Sequence, residues 1–239
     1  MKNIIKEYNI VSTLSKTKNV PRGTSASPKG LFPHVFNDNS KAIQILDIGF
    51  GDGNLGRLIK NYQETSHWSV DGVDGFEPNC NNETLFNEKI YRNVWHGLAQ
   101  DIPPEQFKQY DLICLLDVIE HLDAESAKSL LKTLLLSMKD DAFLFISTPL
   151  WFYPQDSIQD GDLEEHLIGI PASSMMALIP KMYSINEPLI GGFVLGKISL
   201  DYIDFFQPTS NKNFSYEQGL NIVNMVNCQY KPGEYVKFW

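Results

Sequence analysis

Residues 43–60, "IQILDIGFGDGNLGRLIK", carry two overlapping glycine patterns that imply different ligands. Gly51, Gly53 and Gly56 satisfy G-x-G-x-x-G, a loop that brings backbone amides onto a dinucleotide pyrophosphate at a helix N-terminus. Asp47, Gly49, Gly51 and Gly53 satisfy a second pattern, an acidic residue followed by glycines at alternate positions. On either reading "AIQILDI" is a short apolar strand, the glycines form a tight turn, and "NLGRLIKNYQ" opens a helix with Leu55, Leu58 and Ile59 on one side.

Outward from this unit, strands and helices alternate. "WSVDGVDGF" (68–76) reads as a second strand ending near Asp74, and "YRNVWHGLAQDI" (91–102) as a third ending near Asp101. "YDLICLLDV" (110–118) is almost continuously apolar, as expected of a strand buried on both faces at the centre of a parallel sheet. Asp123 is a candidate N-cap, and Ala127, Leu130, Leu131, Leu134, Leu135 and Met138 recur at helical spacing, which predicts an amphipathic helix packed on that sheet. "AFLFIST" (142–148) is a fifth strand stopped by Pro149, and "MYSINEP" (182–188) and "GGFVLGKISLDYI" (191–203) are two closing strands. Such alternation implies right-handed crossovers and a ligand beyond the carboxyl ends of the strands.

Residues 1–40, with three prolines and two glycines in "VPRGTSASPKGLFPHVF", read as an N-terminal arm rather than a core element, with Phe32 and Phe36 as candidate pins. Residues 41–239 are expected to form a single domain, with the irregular stretch 149–180 covering the substrate side and the arm contributing to the site. A chain of 239 residues with 43% hydrophobic and 21% charged residues suits one globular domain. No run of about 18 apolar residues is present. The N-terminal stretch lacks the apolar core of a signal peptide, so no membrane association and a cytoplasmic location are expected. Cys80, Cys114 and Cys228 are scattered without metal or disulfide spacing. A formal charge of −9 argues against nucleic acid, the nearest basic segment being Lys16, Lys18, Arg22 and Lys29.

The strand's exit decides between the two glycine patterns. A dinucleotide turn places its first glycine directly after the strand, which is Gly49, and the third glycine position then falls on Asn54. Beginning at Gly51 restores the glycines but leaves a carboxylate, Asp47, at the strand end, where phosphates gain nothing. A cofactor that carries an ammonium and a sulfonium and no phosphate is better served by it. Asp74, with Asp71 near it, can accept hydrogen bonds from ribose hydroxyls, and Asp101 either accepts from an adenine amino group or caps a turn before Pro103 and Pro104.

Taken in order, "ILDIGFGDGNLGRLI", "VDGVD", "YDLICLLDVIEHL" and "FLFISTP" resemble the successive motifs of the class I S-adenosylmethionine-dependent methyltransferases, over roughly residues 42–150. The resemblance implies an α/β, Rossmann-like, seven-stranded, mostly parallel sheet with helices on both faces and an antiparallel last strand. It implies S-adenosylmethionine as cofactor, with Asp47, Gly49 and Gly51 bordering the methionine moiety and Asp74 the ribose. Leu98 to Asp101, with Ala99 and Asp101, would border the adenine, and Asp117 would sit beneath the methyl donor. The interval from Asp47 to Asp74 is longer than usual in the family, which keeps Asp71 and Glu77 as alternative ribose ligands.

Methyl transfer from a sulfonium needs alignment of donor and acceptor, exclusion of water and, for a hydroxyl acceptor, removal of a proton. Glu120, His121 and His166 are the candidate catalytic residues, either histidine suiting a general base. The same residues resemble the E-x-x-E-H plus distal histidine metal site of RNA-terminal ribose methyltransferases, and a related site in ubiquinone-pathway O-methyltransferases. Asp117 replaces the first glutamate and the distal histidine stands alone, so no bound metal is expected. Alternatively, Glu120 or His121 serves a helix end. Trp151, Phe152 and Tyr153 either wall the pocket or bury the loop against the sheet. The cover segment also resembles a pattern of bacterial methyltransferases acting on small molecules, sugars or polysaccharides, which points to a small-molecule or glycan oxygen acceptor. Competing readings are a metal-assisted RNA ribose methyltransferase, a nicotinamide dinucleotide oxidoreductase, which lacks its Ser/Tyr-x-x-x-Lys set here, and a binding module without turnover.

Overall fold

Side-chain alternation along the strands divides the core between two faces of one sheet. A computed structural model describes residues 10–11, 27–209 apart from 154, 158, 160, 187 and 188, and 235–238. Most of the N-terminal arm, with Lys16, Lys18 and Arg22, and also Cys228, lies outside the described residues. The strands are β1 (Ile10–Val11), β2 (Gln44–Ile48), β3 (Ser69–Asp74), β4 (Asn93–His96), β5 (Leu112–Leu116), β6 (Phe143–Pro149), β7 (Met182–Asn186), β8 (Ile190–Leu195) and β9 (Tyr235–Phe238). Leu46, Ile48, Ile113, Leu115, Leu144 and Ile146 point to one face, where they meet helix α4 (Ala124–Ser137) through Leu130, Leu131, Leu134 and Leu135. Their neighbours Ile45, Leu112, Cys114 and Phe145 point to the other, against α1 (Asn54–Asn61) through Leu55 and Ile59. Each such leucine or isoleucine contributes about 1.5–3 kcal/mol by leaving water.

The order is β1-β9-β7-β8-β6-β5-β2-β3-β4. Strands β2 to β6 run parallel, and β8 enters antiparallel between β6 and β7. Omitting β1 and β9, this is the Rossmann-like arrangement expected, with six parallel strands, one antiparallel strand and β5 at its centre. The pair β9 and β1 extends the edge beyond β7. Short helices α2 (Glu77–Cys80), α3 (Glu83–Asn87) and α5 (Ala172–Met176) complete the connections.

Two expectations are corrected. The third strand stops at His96, and Asp101 lies beyond it in a 3-10 turn, Ala99–Asp101. The last closing strand stops at Leu195, and Lys197–Phe205 is a 3-10 helix although its residues alternate. There the Lys197 ammonium donates to the carbonyls of Leu136 and Met138 at the end of α4, at 2.8 and 2.9 Å, a tertiary contact that local pattern cannot encode. Phe32 and Phe36 pin the end of the N-terminal arm as expected, Phe36 edge-on to Trp68. The 3-10 helix Lys29–His34 sinks Phe32 fully into the second core face, edge-on to Trp68 and Tyr62.

Asp71, one of the alternative ribose ligands, is consumed by the fold. Arg92 reaches it through Nε (3.0 Å) and Nη2 (2.6 Å), the Asn93 amide at 2.9 Å and the Tyr110 hydroxyl at 3.0 Å. Burial acts to raise its carboxyl, but the hydrogen bonds from Arg92, Asn93 and Tyr110 outweigh it and hold the group below the usual carboxylate range. A depressed carboxyl stabilises the fold above its unfolded pKa of about 3.9 and loses that contribution as pH falls. Asp71→Asn is therefore expected to lower the free energy of unfolding by about 2 kcal/mol at neutral pH. Chemical denaturation should show the difference shrinking below about pH 4.

Candidate active site

The carboxyl ends of β2 and β5 meet the stretch after β6 around a cleft of about 530 Å³. At its floor, Gly49, Gly51 and Gly53 all take positive φ (69°, 53° and 77°), so the alternate-glycine pattern is a backbone requirement. A side chain on Gly51 would meet nothing within 4 Å, which leaves its backbone open to a ligand. Gly56, the third glycine of the dinucleotide reading, has another function. A Cβ there would come within 2.8 Å of Ile90 and Tyr91, so its bareness lets α1 settle against them.

Asp47 is buried at the end of β2, where its Oδ2 accepts the Tyr91 hydroxyl at 2.7 Å. Burial pushes its carboxyl up to about 6, against the Tyr91 hydrogen bond and the charge of Lys29. Asp74, at the end of β3, accepts the Gly51 amide through Oδ2 and the Phe76 amide through Oδ1, both at 2.8 Å. These two bonds fix the carboxylate beside the glycine turn, and each oxygen keeps a second lone pair. Glu77 is exposed on α2.

Asp117 follows β5 with φ 58°, unusual for a residue with a side chain, and is held by the Ser147 hydroxyl at 2.7 Å and the Lys29 ammonium at 3.3 Å. The next turn, Ile119–His121, carries the candidate catalytic pair. Glu120 is 2% exposed, and its Oε2 has no hydrogen-bond partner. Burial first, then the charge of Asp117, raises its carboxyl well above the ordinary range. Its backbone carbonyl accepts the amides of Leu167 and Ile168 at 2.9 and 3.3 Å, which ties the stretch after β6 onto the turn.

That stretch brings His166 over His121, with ring centroids 4.7 Å apart. His121 Nδ1 lies 3.1 Å from the Glu165 carbonyl and His166 Nδ1 lies 2.7 Å from the Tyr153 carbonyl. A carbonyl only accepts, so both protons sit on Nδ1 and both Nε2 atoms carry a lone pair. Burial lowers the pKa of each ring, and the charge of His121 lowers that of His166 further, which favours neutral imidazoles. One ligand atom from each of Glu120, His121 and His166 falls within 4.8 Å of the others. Trp151 and Tyr153 line the cleft, whereas Phe152 is buried with its backbone against Gly169.

Of the residues singled out in the sequence, the cleft gathers Asp47, Gly49, Gly51, Asp117, Glu120, His121 and His166. Asp74 stands just behind the glycine turn. Ala99 and Asp101 lie farther along the same edge, where Asp101 accepts the Leu98 amide at 3.2 Å and so caps its own turn. Lys29, Gln155 and Glu164 also line the cleft and were not picked out as site residues. The "EEH" run was a signal for Glu164. For Lys29 there was none, because it depends on where the first 40 residues fold.

A family described as a methyltransferase domain matches residues 22–174. Over 115 residues the chain is 30% identical to the ubiquinone biosynthesis O-methyltransferase of Rickettsia typhi, covering 47% of this chain and 43% of that protein. Over 113 residues it is 29% identical to its counterpart from Rickettsia prowazekii, covering 47% and 42%. The chain thus spans less than half the length of the curated relatives it matches. The structure of a mitomycin 7-O-methyltransferase is 16% identical, covering 70% of this chain and 52% of that one at a TM-score of 0.49. The chain belongs to the methyltransferase-domain family.

Asp74→Ala is expected to weaken binding of S-adenosylhomocysteine by about 1–3 kcal/mol, the range for losing charge-assisted hydrogen bonds to a diol. Calorimetry on the folded variant checks it, and unchanged affinity would shift the ribose contact to another residue.

Proposed function

We propose that the chain methylates a hydroxyl oxygen of a small molecule or sugar unit, with His121 or His166 receiving the hydroxyl proton and Glu120 beside them in the site. The observation that carries this reading is the pair of Nε2 lone pairs beside the unpartnered Glu120 Oε2, inside the cleft that contains the Asp47–Gly53 turn. Two relatives named as O-methyltransferases support an oxygen acceptor. The cleft's aromatic wall, Trp151 and Tyr153, suits the flat or apolar face of a ring.

On this proposal Asp47, Gly49 and Gly51 border the methionine part of the donor, and Asp74 holds the ribose. Ala99 and Asp101 flank the adenine, and Asp117 stands under the transferred group. The sulfonium supplies an already activated methyl group. The chain's own contribution is therefore alignment, exclusion of water by the 149–180 segment, and a neutral imidazole within reach of the hydroxyl.

A second reading is favoured by the convergence of one carboxylate and two imidazoles whose Nδ1–H groups are already bound to carbonyls, as in many metal sites. Glu120, His121 and His166 would hold a divalent cation such as magnesium, manganese, iron or zinc, which would polarise the acceptor hydroxyl.

His121→Ala and His166→Ala are each expected to lower turnover by about 10²-fold or more, with S-adenosylhomocysteine affinity changed less than about threefold. Because both imidazole pKa values lie below the ordinary one, activity should rise with pH through a midpoint below about 6.5 and be flat at neutrality. Steady-state kinetics on candidate phenols and sugars reads both effects, and full activity in the double variant would remove the histidines from catalysis. Activity unchanged by a chelator and by added manganese or zinc would eliminate the second reading and leave the first.

A further inference from the structure

The cleft carries more negative charge than its own residues neutralise. Asp47, Asp52, Asp117, Glu120 and Glu164 line it, and among its described lining residues Lys29 is the only lysine or arginine. That ammonium is matched by Asp117 at 3.3 Å. Asp47 is buried and accepts the Tyr91 hydroxyl, and burial favours the neutral acid in Glu120. The carboxylates left exposed are Asp52 and Glu164, and neither has an ion-pair partner among the described residues.

Glu164 is fixed in place. Gln155 donates through Nε2 to the Glu164 carbonyl at 2.8 Å and to its carboxylate Oε2 at 3.2 Å, and the Glu164 amide donates to Asp162 Oδ1 at 3.3 Å. The His166 amide returns to the Gln155 carbonyl at 3.0 Å. Two facing stretches thus line the cleft, Tyr153 with Gln155 on one and Glu164 with His166 on the other. A single amide donor leaves most of the carboxylate's lone pairs unused. Burial first, then the charges of Asp162 and Asp74, raise the Glu164 carboxyl, so a cation beside it is drawn by all three carboxylates.

Aromatic rings stand in the same cleft. The Tyr153 ring centroid lies 5.2 Å from that of Trp151 and 6.1 Å from that of His166, so Tyr153 joins the aromatic wall to the histidine pair. A tyrosine face and a carboxylate attract an ammonium together, through the ring quadrupole and through direct charge. An anionic group in that place meets only repulsion. Glu120, 2% exposed, keeps Oε2 without a hydrogen-bond partner, an atom that a polar ligand in the cleft would satisfy.

We propose that the acceptor is a cationic hydroxyl compound whose protonated amine docks between Glu164 and the Tyr153 ring, placing its hydroxyl at His121 and His166. Amino sugars and aminoalkyl phenols share this chemistry, whereas acceptors bearing a carboxylate or phosphate are disfavoured. The ammonium has to stand apart from the donor's sulfonium, and an exposed Glu164 allows that separation. The reaction is unchanged: the hydroxyl oxygen bonds to the methyl carbon, the carbon–sulfur pair stays with sulfur, and the proton passes to an imidazole. The inference rests on the oxygen-acceptor reading and narrows its substrate class.

The test uses a catechol bearing an aminoethyl, a hydroxyethyl or a carboxymethyl side chain. Calorimetry on the full chain saturated with S-adenosylhomocysteine measures the three affinities at neutral pH. The aminoethyl catechol is expected to bind about tenfold tighter than the hydroxyethyl one, from an exposed ion pair and a cation–π contact together, and the carboxymethyl one weakest. In Glu164→Gln the aminoethyl preference should fall below about threefold, with S-adenosylhomocysteine binding reporting that the variant is folded. Tyr153→Leu should lower the preference and Tyr153→Phe keep it, which carries the comparison if the Gln variant does not fold. An unchanged preference in Glu164→Gln, or wild-type affinities that are equal or favour the carboxymethyl catechol, would overturn the proposal. Binding of none of the three would overturn it too, and leave the oxygen-acceptor reading to stand on uncharged phenols and sugars. Preferred binding of the aminoethyl catechol with no methyl transfer from S-adenosylmethionine to its hydroxyls would support the cation subsite and overturn the oxygen-acceptor reading instead.

Discussion

Burial of β2 and β5 on both faces is the constraint from which the site follows. Every residue of β5 is buried, and β2 is buried from Ile45 to Ile48. A strand in that position takes apolar side chains along its length, so polar function collects where the strands end. Carboxylates that remain inside the sheet region must have partners, because an unpaired buried charge is expensive. Asp71 has Arg92, Asn93 and Tyr110, and Asp47 has Tyr91. Glu120 keeps one carboxyl oxygen unmatched in the cleft, and on the proposed function that oxygen belongs to the reacting site.

The two histidines extend the same logic. Each is oriented by a main-chain carbonyl from the stretch after β6, so their geometry depends on the backbone of that segment rather than on one another. The amides of Leu167 and Ile168 return to the Glu120 carbonyl. Leu163 also packs so closely on Gly75 that a Cβ there would lie 2.6 Å from it, which carries the segment across the end of β3. Movement of this segment would therefore alter the histidines and the end of β3 together.

Much of this was legible in the sequence because the relevant signals are local. The β2–turn–α1 unit, the Asp123 cap, whose carboxylate accepts the Ser126 amide at 2.9 Å, and the α4 stripe are each set by neighbours a few residues apart. The apolar run 110–118 identified the sheet centre for the same reason. Misreadings arose where a distant contact decides the conformation. Residues 197–205 alternate like a strand, yet Lys197 reaches the end of α4, and "YRNVWHGLAQDI" leaves the ladder after His96 for the turn that Asp101 caps. Lys29 lies at the far limit of legibility, since nothing near it in the chain announces Asp117, 88 positions away.

The central claim is that the acidic turn, the strand ends and the histidine pair form one methyl-donor site. A crystal structure of the protein with S-adenosylhomocysteine tests it most directly. The expected result is a ligand whose ribose lies at Asp74, whose amino-acid end lies over Gly49–Gly51, and whose sulfur faces His121 and His166. A ligand bound with its sulfur turned away from both histidines, or outside this cleft, would contradict it.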